Sequence, residues 1–218
     1  MSAVPLLLVG CGGFARETAC AVHAVNSVAP TFRLLGFLDD APNRQGTVVD
    51  GLPVLGPVEA ALAHPEARLV VCTGSPRDYS SRRRIVSRLG LPPDAYATVV
   101  HPAASLAAGA TLGPGTVLLA GVVVTAPVAV GAHVAVMPHV VLTHDDEVGD
   151  DVTFGAGVRL GGGTVAGNGC YVGSGALVRE GVRIGAGALV GMGAVVLRDV
   201  PPREVWAGVP ARRVRAAA

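Results

Sequence analysis

The most polar stretch in the second half of the chain is Thr143-His144-Asp145-Asp146-Glu147, which sets one imidazole beside three carboxylates. Histidine is the side chain most often used as a general base near neutral pH. The residues around this stretch are mostly apolar or glycine, so a concentration of polar groups there calls for an explanation. We interpret His144 as a candidate general base, and the alternative is an ordinary surface histidine.

A second set of residues suited to chemistry lies near the start of the chain. Gly10-Cys11-Gly12-Gly13, Asp39-Asp40 and Thr73-Gly74-Ser75 each follow an apolar run. Two close glycines at the start of a helix let a pyrophosphate approach backbone amides, and a carboxylate after the next strand suits a ribose hydroxyl. The pattern predicts a nucleotide pocket. The alternative is a tight turn beside a solvated acidic loop.

Short strands and helices must position these front residues. The apolar runs 5–9, 32–38 and 68–72 read as buried parallel strands, and 15–26 and 78–89 read as helices. Their alternation predicts a small doubly wound, Rossmann-like parallel sheet, in which the carboxyl ends of the strands meet at one edge. The glycine turn also fits a dinucleotide oxidoreductase. However, the rest of the chain leaves no domain for a hydride-transfer substrate.

A six-residue repeat must position His144. An apolar side chain stands at every sixth position from Val100 to Val196, and the position four residues after each is small or β-branched, except at Asp146. Neither a helix nor an ordinary strand has this period, so it predicts the stacked coils of a parallel β-helix. On this register Asp146 points inward, where a carboxyl group must be protonated or hydrogen-bonded.

The same register places His144 at a corner of the coil, pointing outward. One coil later, the same corner is occupied by Gly162, and one coil earlier by Ala126. Small residues above and below the imidazole leave a groove beside it. An exposed amide near Gly162 is placed to receive a developing oxyanion.

Composition limits the classes of function. The chain has 218 residues, a formal net charge of +1 and 4% aromatic residues, which gives no basic or aromatic surface for nucleic acid. The apolar stretch 117–138 is broken by prolines and glycines, so we predict no membrane span. The four cysteines show no metal-binding or redox spacing, so we expect free thiols and a cytoplasmic protein, and we expect no metal. We predict domains at 1–95, 96–200 and 201–218.

Five segments in order resemble one family over essentially the whole chain. They are LLLVGCGGFARE, GFLDD, CTGSPRDYSSRR, THDDEVGD and DVPPREVWAGVPARRV. Together they are similar to the sialic-acid O-acetyltransferase family of hexapeptide-repeat acyltransferases, and within it to the N-acetyltransferases of nucleotide-linked 4-amino sugars, of the bacillosamine-pathway type. The resemblance implies a left-handed β-helix, a homotrimer and acetyl-CoA as co-substrate.

The resemblance also implies roles for matching positions. His144 would be the catalytic base, and Asp145 the acidic neighbour that raises its basicity. Residues placed toward the nucleotide sugar are Gly12, Gly13, Phe14, Asp39, Asp40, Gly74 and Ser75. Residues placed toward acetyl-CoA are Thr153, Gly162, Ser174 and Met192. In two departures, relatives often have a second histidine where this chain has Thr153, and commonly a cysteine where it has Asp146.

The expected function is acetyl transfer from acetyl-CoA to the amine of a nucleotide-linked amino sugar carried on UDP or dTDP. One alternative is O-acetylation of a sialic acid or another sugar hydroxyl. A second is a scaffold without catalytic activity. The sequence leaves open the nucleobase, the sugar carbon that bears the acceptor, and the length of the acyl group.

Overall fold

The computed structural model describes residues 3–217, which form a small mixed sheet followed by a three-faced prism. The sheet has the order β3-β4-β2-β1-β5, with strands β1 (Val4–Val9), β2 (Phe32–Leu38), β3 (Val48–Val49), β4 (Leu52–Gly56) and β5 (Arg68–Val71). Its helices are α1 (Gly13–Val28) and α2 (Ser81–Leu89), with 3-10 turns at Val58–Ala63 and Pro93–Ala95. The Rossmann-like fold class is confirmed.

The parallel part of this sheet forms where the sequence predicts it. Strand β1 pairs in parallel with β2 on one side and with β5 on the other. Its last four residues are fully buried, which explains why the run is apolar without alternation. Both faces of such a strand are covered, and α1 covers one of them with its buried alanines and Val22.

Two details of the N-terminal domain differ from the prediction, one in the sheet and one in helix α2. Strand β3 is antiparallel to β4, joined by a turn at Asp50-Gly51 in which both residues have positive φ. Helix α2 begins at Ser81 rather than at residue 78, because Ser75 and Asp78 first form a backbone-bonded turn. Asp78 therefore lies before the helix, where it pairs with Arg84.

The prism is the predicted left-handed parallel β-helix, built from two-residue strands separated by four-residue corners. Its strands are β6 (Val99–Val100), β7 (Ser105–Leu106), β8 (Thr111–Leu112), β9 (Val117–Leu118), β10 (Val123–Val124), β11 (Ala129–Val130), β12 (Ala135–Val136), β13 (Val141–Leu142), β14 (Glu147–Val148), β15 (Thr153–Phe154), β16 (Arg159–Leu160), β17 (Val165–Ala166), β18 (Tyr171–Val172), β19 (Leu177–Val178), β20 (Arg183–Ile184), β21 (Leu189–Val190) and β22 (Val195–Val196).

Every third strand lies on the same face of the prism. Face 1 contains β6, β9, β12, β15, β18 and β21, and it is extended by a C-terminal hairpin of β23 (Glu204–Ala207) and β24 (Arg212–Ala216). Face 2 runs from β7 to β22, and face 3 from β8 to β20. Val123 pairs with Val141, so each coil takes 18 residues.

Both inward registers fill the prism as predicted. The sixth-position residues from Leu118 to Val196 and their small partners, such as Ala176 and Ala188, form one continuous buried cluster. Asp146 lies in this interior with 4% of its surface exposed, as its register requires. The stack of coils closes on Trp206, which is buried at the C-terminal end.

The N-terminal domain packs on face 1 and on both corners that border it, since Leu119 and Met137 on the corner between faces 1 and 2 pack with its core. The phenol of Tyr79 donates to the Gly187 carbonyl at 2.9 Å, and its ring lies 6.0 Å from that of Tyr171 on face 1. The ring of Tyr96 meets that of His133 edge-on at 4.6 Å. None of these contacts involves a strand of face 2 or face 3. The predicted domain limits at residues 1 and 218 fall outside the described range.

Candidate functional site

His144 stands on the corner between β13 and β14, where face 2 meets face 3. Its Nδ1 lies 2.8 Å from Asp145 Oδ2, and 71% of the imidazole surface is exposed. The hydrogen bond with Asp145 raises the pKa of His144 above its ordinary value, and the charge of Asp145 adds to the effect. With Nδ1 donating to Asp145, Nε2 carries the lone pair that can accept a proton, and it lies on the Gly162 side of the ring.

Gly162 lies directly beside this imidazole, one coil further on. A Cβ at Gly162 would overlap the His144 ring, so any larger residue there would displace the ring. The neighbouring Gly163 N–H donates to the His144 carbonyl at 2.9 Å, and the Gly161 N–H is used in the strand ladder. Within residues 3–217 the Gly162 N–H has no acceptor, which leaves it available to a ligand.

Asp146 fixes the corner from the inside. Its Oδ2 accepts the Thr143 N–H at 2.7 Å, and its Oδ1 accepts the Thr164 N–H of the next coil at 2.9 Å. Burial raises the pKa of Asp146 to about 6, against the lowering effect of these two backbone donors. Asp146 therefore ties together the coil that carries His144 and the coil that carries Gly162.

The residues predicted to meet acetyl-CoA lie in different places. Ser174 and Met192 are stacked on the corner between faces 1 and 2, and 80% of Met192 is exposed. They border face 2 on one side, while His144 and Gly162 border it on the other. Thr153 does not join them, because it is buried on face 1 with its Oγ1 accepting a 2.6 Å hydrogen bond from Arg82. Its predicted contact with acetyl-CoA stays a prediction.

The front residues enclose a cavity of about 390 Å³ at the carboxyl ends of β1 and β5. Among its lining residues are Gly12, Gly13, Phe14, Asp39, Gly74 and Ser75. Gly12 caps α1 without a side-chain hydrogen bond, so the first amides of the helix are not covered by a cap. Gly10 has a φ of 96°, and a Cβ there would press on the Cys72 carbonyl at 3.0 Å. We call this space the glycine-turn cavity.

The two aspartates after β2 have different surroundings. Asp39 lines the cavity, and its Oδ2 accepts both the Cys11 N–H at 3.0 Å and the Cys11 thiol. Asp40 is not among the residues that line the cavity. Its carboxylate accepts the Val58 N–H at 3.0 Å and forms a 2.7 Å ion pair with Arg88.

Sequence reasoning missed one residue that the structure places centrally. Arg82 of α2 is almost fully buried between the N-terminal domain and the prism. The run Ser81-Arg82-Arg83-Arg84 reads as a solvated basic helix, and Arg83 and Arg84 are indeed exposed. Only the helical register of α2 against β5 distinguishes Arg82 from them, and the sequence does not reveal that register.

The described residues contain no transmembrane helix and no metal cluster. Neither α1 nor α2 is long and apolar enough to cross a bilayer. Between residues 3 and 217, no three histidine, cysteine, aspartate or glutamate side chains gather as metal ligands would.

Comparison with known proteins connects both parts of the chain to one group of enzymes. Residues 5–89 match the family model described as PglD N-terminal domain. The acetyltransferase domain of PglB from Neisseria gonorrhoeae, solved with acetyl coenzyme A, is 28% identical, with a TM-score of 0.84 over 98% of this chain and 100% of that chain. The chain is an acyltransferase.

Other solved structures agree with this assignment. Perosamine N-acetyltransferase from Caulobacter crescentus, solved with CoA and GDP-perosamine, is 27% identical to this acyltransferase, with a TM-score of 0.84 over 96% of both chains. WeeI from Acinetobacter baumannii, 22% identical over 96% of this chain and 99% of that chain with a TM-score of 0.68, shares the fold. No curated protein sequence matches the acyltransferase significantly.

Proposed function

We propose that this acyltransferase moves an acetyl group from acetyl-CoA to the amine of a nucleotide-linked amino sugar, with His144 as the general base. The observation that carries the proposal is the His144 imidazole, bonded to Asp145 through Nδ1 and lying against Gly162, whose N–H has no acceptor within residues 3–217. Two relatives that match almost the full chain support it, one solved with acetyl coenzyme A and one with CoA and GDP-perosamine.

The chemistry needs one base and one oxyanion donor. The amine nitrogen attacks the thioester carbonyl carbon, and Nε2 of His144 accepts the proton that the nitrogen loses. The Gly162 N–H donates to the oxyanion of the tetrahedral intermediate. When the intermediate collapses, the carbon–sulfur bond breaks, the thiolate leaves and takes up a proton as CoA, and the amide remains on the sugar. Asp145 holds the Nδ1–H tautomer and stabilises the imidazolium while it exists.

The glycine-turn cavity is proposed to hold the nucleotide. Its open helix N-terminus attracts phosphate oxygens, and Asp39 offers a carboxylate to a hydroxyl or base edge. The predicted choice between UDP and dTDP stays open. Because one relative was solved with a GDP-linked sugar, guanosine belongs among the candidates.

A complete site in this proposal needs two copies of the chain. The glycine-turn cavity belongs to a domain that packs on face 1, whereas His144 stands on the corner opposite that face. In addition, face 2 presents partly exposed apolar side chains, including Val123, Val141 and Leu177. An oligomer that covers face 2 would bring the His144 of one copy toward the cavity of another, in agreement with the expected homotrimer.

The deciding experiment measures CoA thiol release with acetyl-CoA and a panel of UDP-, dTDP- and GDP-linked amino sugars. We expect turnover with at least one of them, and His144→Ala should lower kcat by roughly 10²–10⁴-fold. The matched control is His23→Ala, which removes a histidine from the exposed side of α1 and should leave kcat unchanged. If the His144→Ala oligomer assembled normally and kept normal turnover, His144 would not be the base. Turnover only with the corresponding hydroxysugars would instead indicate O-acetylation.

A further inference from the structure

The largest fully buried side chain of the described chain is a charged one, Arg82, with 1% of its surface exposed. Its Nη1 donates to the Thr73 carbonyl at 3.1 Å. Its Nη2 donates to Thr153 Oγ1 at 2.6 Å and lies 3.2 and 3.3 Å from the carbonyls of Asp151 and Val152. The guanidinium therefore bonds to the N-terminal domain on one side and to the prism on the other.

Burying this charge is costly, because no carboxylate within residues 3–217 lies within ion-pair distance of it, and the nearby charge of Asp151 offsets only part of the cost. Burial lowers the pKa of Arg82 to about 10, so the group is still protonated at neutral pH. The Nε of Arg82 has no partner, and other buried polar atoms near the same junction also lack one: Thr73 Oγ1, Tyr96 Oη, His133 Nδ1 and Asp151 Oδ1. An apolar side chain would join the two domains at lower cost, so adhesion alone does not account for an arginine here.

The groups that Arg82 bonds to indicate its role. Thr73 is followed by Gly74 and Ser75, and all three line the glycine-turn cavity. Gly74 has a φ of 129°, and a Cβ at that position would lie 3.8 Å from Nη1 of Arg82. The turn with Asp78 fixes this loop at Ser75, and the guanidinium lies behind it at Thr73 and Gly74.

The acceptors on the prism side belong to the coil that carries the candidate base. Residues 151–153 complete the turn of chain that begins at β13 and passes through His144. The planar fork of an arginine bonds two groups in fixed relative directions, which a lysine ammonium does not. One side chain thus connects the wall of the glycine-turn cavity to the coil of His144.

We propose that Arg82 is a positioning residue that sets the Thr73–Ser75 wall of the glycine-turn cavity in a fixed relation to the prism, and so orients the nucleotide of the acceptor. This inference rests on the proposed function. Arg82 touches no substrate, and its effect passes through the Thr73 carbonyl. The residue should therefore affect the nucleotide sugar and leave acetyl-CoA alone.

The test is steady-state kinetics of Arg82→Gln and Arg82→Lys with each substrate varied in turn. For Arg82→Gln we expect the KM of the nucleotide sugar to rise about 10- to 100-fold, because small misplacements in a binding site have effects of this size. The KM of acetyl-CoA should stay within about twofold of the wild-type value. The KM of the nucleotide sugar for Arg82→Lys should lie between those of the wild type and Arg82→Gln. The matched control is Arg33→Gln, which removes an exposed guanidinium on β2 and should change neither KM.

A second pair of variants keeps the test decisive if Arg82→Gln does not fold. Thr153→Val removes one acceptor of Arg82 and keeps the side-chain shape, whereas Thr153→Ser keeps the acceptor. We expect the valine variant to raise the KM of the nucleotide sugar several-fold and the serine variant to restore it. A rise in the KM of acetyl-CoA instead would place Thr153 at the acetyl-CoA site, and the positioning role would be wrong.

The remaining outcomes separate this inference from the proposed function. If Arg82→Gln lowers only the melting temperature and the active fraction, with both KM values unchanged, Arg82 is purely structural and the inference is overturned. A wild-type protein that releases no CoA with any acceptor would contradict the proposed function itself. An active wild-type enzyme is therefore the starting point that distinguishes the two failures.

Discussion

At the scale of single residues, Asp146 shows how a buried carboxyl can serve a site that it does not touch. It holds the backbone on both sides of the corner that carries His144. The resemblance implies a cysteine at this position, and a cysteine thiol cannot accept two backbone N–H groups as well as a carboxyl does. The corner is therefore fixed here by hydrogen bonds, at the cost of a buried acid.

Asp146 predicts a specific dependence of stability on pH. Its folded pKa of about 6 is above the ordinary value of 3.8, so its stabilising contribution is complete below about pH 4 and is lost as the pH rises through 6. Relative to Asp146→Asn, which does not titrate, the free energy of unfolding of the wild type should fall by at most about 3 kcal/mol between pH 4 and pH 7. Urea unfolding of both proteins across this range measures the difference. A difference independent of pH would contradict the prediction.

Individual residues were predictable where the repeat fixes their direction. The six-residue register places Asp146 inside and His144 outside without any knowledge of the fold around them, because each position of the coil has one direction. Arg82 was not predictable. Its acceptors on the prism are 69 to 71 residues away, and they are brought near only when the sheet docks on face 1.

At the scale of elements, the corner of His144 depends on the coil that follows it. The imidazole rests where a side chain at Gly162 would stand, and the backbone of Gly162 does not have the positive φ that would demand glycine. Glycine is therefore kept at this position for space rather than for backbone conformation.

Gly162→Ala should consequently separate activity from stability. We expect kcat to fall about 10- to 100-fold because the methyl group displaces the imidazole. The melting temperature should change little, because the exposed ring can swing into solvent. In the His144→Ala background, the same substitution should have no further effect on kcat. If it lowered kcat equally in both backgrounds, the loss would come from Gly162 itself rather than from the displaced ring.

Elements were predictable from the sequence to different degrees. Strand β2 has the bounds that its largely apolar run indicates, although Arg33 is exposed and only the last three residues are buried. The β3–β4 hairpin was missed although Asp50-Gly51 between apolar residues is a known signal for such a turn. Strands of two residues carry too little pattern to stand out. The late start of α2 depends on the turn from Ser75 to Asp78, which competes with the first helical turn.

At the scale of the whole molecule, the glycine-turn cavity and His144 lie at different positions around the prism. The glycine-turn cavity lies with the domain on face 1, and His144 is on the opposite corner. Under the proposed function, a site that needs both is therefore assembled between two copies, and each copy would contribute one half to each of two sites.

This arrangement predicts complementation between inactive chains. Gly12→Asp places a carboxylate at the N-cap of α1, where no atom lies within 4 Å of the new Cβ. It should keep α1 capped but repel the phosphates of the nucleotide. Oligomers of Gly12→Asp alone or His144→Ala alone should be nearly inactive.

Mixed oligomers of the two variants provide the readout. If each site takes its cavity from one copy and its histidine from another, random mixing leaves about a quarter of the sites intact, and activity should recover to about that level. Mixing wild-type chains with themselves under the same conditions controls for losses during reassembly. Mixed oligomers as inactive as their parents would place the whole site within one chain.

The constant spacing of the ladder also makes the prism a structure of countable units. Val123 pairs with Val141, and the same 18-residue offset holds from coil to coil. Deleting 18 residues beyond Gly162 would therefore shorten the prism by one coil and keep the remaining side chains in register. Deleting six would instead rotate everything downstream by one face, and the closing tryptophan would arrive at the wrong side of the tube. Natural length variation in such a domain is therefore expected in multiples of 18 residues, outside the coil that carries His144.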